Sequence, residues 1–177
     1  MIHDPELLDH LSTLPVKSFD GKVHRATGVS ADPTAASSNG GRWSPPDVSV
    51  LYTSLEPDGA LAEVAYYLAL LTPLPRKPLR LHEIETATNC TLRFLRSDFP
   101  ALGLEEELYG LRDYAVTQRI GAAINFLGYD GLITPSARWN CENLTIFVDN
   151  HPLDNKLNVI KSKDVDWQDW AKANSIL

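Results

Sequence analysis

Apolar residues along this chain recur with two different periods, in no regular alternation. Leu7, Leu8, Leu11 and Leu14 fall at helical spacing and predict a short amphipathic helix over residues 5–14. Residues 21–27 (GKVHRAT) and 48–54 (VSVLYTS) read as strands, separated by a loop rich in Ala, Ser, Asp and Pro. In the second strand, alternation puts Val48, Val50 and Tyr52 on one face and Leu51 and Thr53 on the other. Residues 60–71 (ALAEVAYYLALL) form an apolar helix whose only charge is Glu63. Pro57 suits its first position. Beyond a Pro-punctuated linker, residues 79–86 and 91–95 read as two strands. Residues 105–127 carry a helical pattern broken near Tyr109-Gly110 or Gly121, its better half at 113–127. Strands over 131–134, 144–148 and 157–165 complete the reading. Without βαβ repetition the fold class is α+β, one domain over residues 1–177.

The helix around Glu63 raises the first chemical question. A helix apolar on nearly every side is normally buried, and an ionised carboxylate there costs several kcal/mol unless partnered. On a helical wheel, Ala60, Val64, Tyr67 and Leu71 share a face that Glu63 flanks. Either Glu63 pairs with an arginine for structural reasons, or its helix edge is solvated, or it belongs to a site.

Composition narrows the classes. With 177 residues, 44% hydrophobic and 22% charged, the chain can bury a real core. A net charge of −7 argues against a nucleic-acid groove, although a few local arginines can still hold a small anion. The longest apolar run, 64–71, is too short to span a membrane, and the start has no secretory pattern. Cys90 and Cys141 make no disulfide framework and suggest reduced thiols in a cytoplasmic protein. The five histidines lack metal-site spacing, so no metal is expected.

Around Glu63 the sequence is dense in groups that bind anions and flat rings. Gly40-Gly41 permits a sharp turn or close ligand approach, and Arg42 offers a planar fork for phosphate or carboxylate. Trp43 either presents a flat surface to a base or fills the core. Tyr52 ends a core strand just before the Glu63 helix, and Arg25 interrupts an earlier strand. Ser136 follows the 131–134 strand, yet no GxSxG elbow supports a serine triad, and nothing local activates Cys141 with His151 as a thiol dyad.

Arg25, the run Gly40-Gly41-Arg42-Trp43-Ser44-Pro45, the strand Val50-Leu51-Tyr52-Thr53-Ser54, Ala60-Leu61-Ala62-Glu63, and Pro135-Ser136-Ala137 followed by Asn143-Leu144 resemble the RES-domain family in content and order. The resemblance spans about residues 23–148, leaving out the first helix and the segment after 166. It implies an ADP-ribosyltransferase-like mixed sheet with flanking helices. It also implies a bacterial toxin that cleaves the nicotinamide–ribose bond of NAD⁺, as glycohydrolase or phosphorylase, with phosphate a possible co-substrate. Its implied partner is an Xre-type antitoxin covering the active-site cleft. The nearest alternative is an ADP-ribosyltransferase acting on a specific bacterial protein. Further rivals are an inert binding module and a purely structural polar network.

Carried onto this chain, the resemblance makes Glu63, Arg25 and Tyr52 catalytic. Arg42, Ser136, Trp43 and Asn143 become substrate-binding residues. Glu63 would face the developing ribose cation, Arg25 and Arg42 would clamp phosphates, and Tyr52 would pack on the nicotinamide ring. Ser136 would donate to a ribose or phosphate oxygen. Without ligand, Glu63 is expected to pair with one of the two arginines. Ser44 and Asp47 stand where many relatives carry Asn and Gly, which could alter the loop's ligand contacts.

Overall fold

Two long strands, β1 (Lys17–Gly28) and β3 (Leu79–Arg93), run antiparallel from Lys17 opposite Thr91 to Gly28 opposite Leu79 in a computed structural model that describes residues 3–177. The remaining strands are β2 (Val50–Ser54), β4 (Gly131–Pro135), β5 (Glu142–Phe147) and β6 (Leu157–Val165). They form a six-stranded sheet in the order β1-β2-β5-β4-β3-β6, parallel only between β3 and β4. Because β1 also pairs with β3, five of the strands close a ring. The ring is fastened unevenly. β2 and β5 pair over five positions, whereas β1 and β2 share the single pair His24–Ser54.

Helices α1 (Pro5–Thr13), α2 (Pro57–Leu68), α3 (Ala115–Phe126) and α4 (Trp167–Ala173) flank the sheet, giving the α+β class. The alternation read in β2 separates two apolar clusters. Val50 and Tyr52 face Leu92, Ile120 and Phe147, while Leu51 packs with Val23, Ile84 and Ile146. A third cluster joins the inner face of α2 (Ala60, Leu61, Ala65) to Leu79, Leu81 and Trp167. α4 is capped by Asp166, whose carboxylate accepts from the N–H groups of Gln168 and Asp169. No helix among the described residues is long and apolar enough to cross a membrane.

The structure departs from the sequence reading in four places. β3 is continuous, where two strands were expected, because the Asp130 carboxylate accepts the Asn89 and Cys90 N–H groups at 2.7 Å each. Residues that look like a turn are thereby held extended. β1 begins at Lys17, since the long β3 offers it partners before Gly21. Residues 105–114 are a short 3-10 turn (Glu106–Leu108) and coil, with the break at Tyr109-Gly110 as read. Finally, α2 ends at Leu68 and is not enclosed: Tyr67, Leu70 and Leu71 are exposed. Its apolar outer face is the wall of a cleft.

Candidate active site

The weakly fastened seam between β1 and β2 opens into a cleft of about 590 Å³. The sheet contributes Arg25, Tyr52, Asn143 and Thr145 to it, α2 contributes Glu63, Val64 and Tyr67, and the facing loops contribute Gly41, Arg42, Tyr109, Arg112 and Tyr114. Among the described lining residues Glu63 is the only acid, set against three arginines. The expected acid and arginines therefore share one cavity.

How Glu63 is held corrects the expectation of an arginine pair. Ser136 Oγ donates to Glu63 Oε1 at 2.8 Å and Asn143 Nδ2 donates to the same oxygen at 2.9 Å. No lysine or arginine among the described residues lies within ion-pair distance of it. The reason is geometric, because each arginine is drawn away by main-chain carbonyls. Arg25 Nη1 donates to Pro33 O and Ala35 O, both at 2.8 Å. Arg42 Nη1 donates to Tyr109 O and, at 3.4 Å, to Leu111 O, with its guanidinium 4.8 Å and 4.7 Å from the ring centres of Tyr109 and Tyr114. These partners are neutral, so both cations keep their charge unmatched and have nitrogens left to bind an anion. Burial pulls the Arg25 guanidinium below its usual value, only partly countered by Asp32.

Ser136 is 1% exposed and also accepts the N–H groups of Arg138 and Trp139, at 3.1 and 3.2 Å. In this arrangement the single hydroxyl proton goes to Glu63, and both backbone N–H groups hold the Ser136 oxygen in place. Trp43 is among the residues lining the cleft, while its indole is 2% exposed and packs in the core against Phe94 and Tyr109 with centroids 5.9 and 6.3 Å away.

Tyr52 presents its ring to the cleft with its hydroxyl tied down. Tyr52 Oη accepts from Trp43 N–H at 3.0 Å and shares a hydrogen bond with Ser44 Oγ at 2.9 Å. Burial pushes its phenol up to about 12, against the weaker pull of these bonds, so the ring stays neutral. Ser44 is 1% exposed and acts through Tyr52, while Asp47 turns the loop at φ 76°. The two glycines have different causes: Gly40 adopts φ 82°, and a Cβ on Gly41 would lie 2.7 Å from the Tyr52 ring. α3 fixes this loop from behind. Gln118 Nε2 donates to Gly41 O at 2.9 Å, and a Cβ on Gly121 would lie 1.7 Å from Trp43 O.

Sequence reasoning missed Arg112, Tyr67, Tyr109, Tyr114 and Thr145. The hydroxyls of Tyr67 and Tyr114 hydrogen-bond across the cleft, and the Arg112 guanidinium sits 5.8 Å from the Tyr67 ring centre. Burial, then the Tyr114 contact, pushes the Tyr67 phenol up to about 12. Tyr67 lies one helical turn beyond Glu63 and could have been found by spacing. The others sit in coil or at an ordinary strand position and carry no local signal.

Residues 21–168 match the model of the family described as the RES domain. The chain belongs to the RES-domain family. The match begins two residues before Val23 and runs through β6 into α4, further than the motifs alone reach. No curated protein matches the chain. Among solved structures, a chain in the crystal structure of the M. tuberculosis MbcT–MbcA toxin–antitoxin complex superposes with a TM-score of 0.83 at 20% identity. The superposition covers 97% of this chain and 98% of that one, and at this identity it shows a shared fold. In this RES domain the arginine, glutamate and serine of the resemblance are Arg25, Glu63 and Ser136. Two of them border the cleft, and the third holds the second in place.

Proposed function

We propose that this RES domain is the toxin of a toxin–antitoxin pair and consumes NAD⁺ by breaking its nicotinamide–ribose bond. One observation carries the reading: among the described residues, the only acid lining the cleft stands unneutralised, held by Ser136 and Asn143, among three arginines that lack carboxylate partners in it. A dinucleotide with a cationic glycosidic nitrogen matches that distribution. Arg25, Arg42 and Arg112 would receive the pyrophosphate. Glu63 would stabilise positive charge developing at the ribose carbon as nicotinamide departs as a neutral base. Preorganised charge in a sheltered cleft acts far more strongly than in bulk water. The leaving group needs no proton, which agrees with a cleft whose tyrosines Tyr52 and Tyr67 hold their protons to about 12.

The partner in this proposal is an antitoxin of the Xre type that covers the cleft, in the cytoplasm where NAD⁺ is abundant. Support comes from the family membership and from the fold shared with a chain of a toxin–antitoxin complex.

The test is NAD⁺ loss on incubation with purified protein, beside Glu63→Gln. The wild type should deplete NAD⁺, and Glu63→Gln should fall about 100-fold or more while melting at the same temperature. Equal turnover by the two proteins would overturn the role of Glu63. Labelled NAD⁺ in lysate separates the acceptors: free ADP-ribose for water, its phosphorylated form for phosphate, a labelled band for a protein.

A further inference from the structure

Two side-chain oxygens on the cleft side of β5 have no hydrogen-bond partner among the described residues. Asn143 uses its Nδ2 to hold Glu63, at 2.9 Å, and a carboxylate accepts only, so the orientation of this amide is fixed by chemistry. Its Oδ1 is therefore an acceptor, and it is buried with no donor. Two residues along, on the same strand face, Thr145 is 0% exposed and its Oγ1 is likewise buried without a partner. Both residues line the cleft. A buried polar atom left unsatisfied is destabilising, so the pair suits a ligand that brings one donor and one acceptor together.

Register places the pair beside the groups already assigned. Thr145 lies directly across from Tyr52 on β2, and Asn143 lies across from Thr134 on β4 and touches Glu63. A flat ring resting on Tyr52 would therefore extend a substituent over β5, with Glu63 near the adjoining ribose.

We propose that Asn143 and Thr145 form a carboxamide seat that makes this site select dinucleotides of nicotinamide over those of nicotinic acid. The amide NH₂ donates to Asn143 Oδ1 and the amide carbonyl accepts from Thr145 Oγ–H. A carboxylate at the same place offers no donor to Asn143 and sets a second negative charge beside Glu63. The inference rests on the NAD⁺ reading above and adds to it the feature by which the base is chosen.

The experiment compares kcat/KM for NAD⁺ and for nicotinic acid adenine dinucleotide in the wild type, Thr145→Val and Thr145→Ser. The wild type should prefer NAD⁺ about 100-fold or more, as sites built to hydrogen-bond a substrate group do. Thr145→Val should lose about tenfold or more of that preference, the scale of one buried hydrogen bond. Thr145→Ser should restore it. Melting separates this from a structural role: the hydroxyl has no protein partner, so Thr145→Val should melt no lower than the wild type. Equal use of both dinucleotides by the wild type, or full selectivity in Thr145→Val, overturns the seat alone. A folded wild type that consumes neither dinucleotide overturns the NAD⁺ reading and the seat with it.

Discussion

Ser136 and Asn143 hold a single oxygen of Glu63, and this asymmetry decides what each residue is worth. With Oε1 occupied twice, the carboxylate cannot rotate freely and Oε2 is the oxygen left to meet a ligand. Ser136→Ala removes one of the two restraints without touching the cleft surface. It should lower kcat for NAD⁺ loss about tenfold while changing KM little, as a loss of transition-state positioning does. A rise in KM at constant kcat would place Ser136 in direct substrate binding instead. Arg25 and Glu63 stood out in the sequence because each breaks its local pattern, a cation in a strand and an acid in an apolar helix, whereas Ser136 was singled out by the family resemblance. Thr145 was not legible, since a threonine is at home in any strand. Its importance lies in a missing partner, which only three-dimensional packing reveals.

At the scale of elements, α3 sets the shape of the loop that carries Arg42. The helix passes so close to Trp43 that only a hydrogen fits at position 121. Gly121→Ala should therefore destabilise the protein by about 3 kcal/mol, the upper range for overpacking against unyielding backbone. NAD⁺ turnover should fall with it as the loop is displaced. A variant with unchanged denaturation midpoint and activity would show that the contact relaxes at little cost. The sequence offered two sites for the break in residues 105–127, and the structure puts it at Tyr109-Gly110. Gly121 lies inside α3, selected for packing and not for chain reversal. The elements with clean periodicity, β2 and the start of α2, were read correctly. The errors fell where a distant group intervened, as Asp130 does in joining the two halves of β3.

Across the whole molecule, His82 ties the sheet together and makes its stability depend on pH. It is 4% exposed, with Nε2 3.1 Å from Thr27 Oγ1 on β1 and Nδ1 2.8 Å from Ser162 Oγ on β6. Burial first, then Arg80 and Arg25, lower its pKa below the ordinary 6.5, and burial lowers that of His24 as well. The unfolded chain therefore takes up protons near pH 6.5 that the folded chain refuses. Stability should be full above that value and decline as pH falls below it. Asp32, Glu83 and Asp164 have their pKa values lowered from 3.8, 4.5 and 3.8, so they act only in more acidic solution. Urea midpoints measured at pH 7.5 and pH 5.5 should drop at the lower pH, and drop less in His82→Gln. Identical midpoints would show that His82 accepts its proton without leaving its place.

A ring of strands laced evenly all the way round would have no mouth. Here the lacing between β1 and β2 is reduced to one stitch, at His24 and Ser54, and the molecule's entrance is that omission in its own sheet. Sequence changes that added a second or third stitch would gain main-chain hydrogen bonds and make the ring sturdier. They would also draw Arg25 against Thr53 and Ala26 against Tyr52 and shut the entrance. The tightest version of this fold is therefore a sealed one, and what keeps the chain open is restraint in how far two neighbouring strands are allowed to meet.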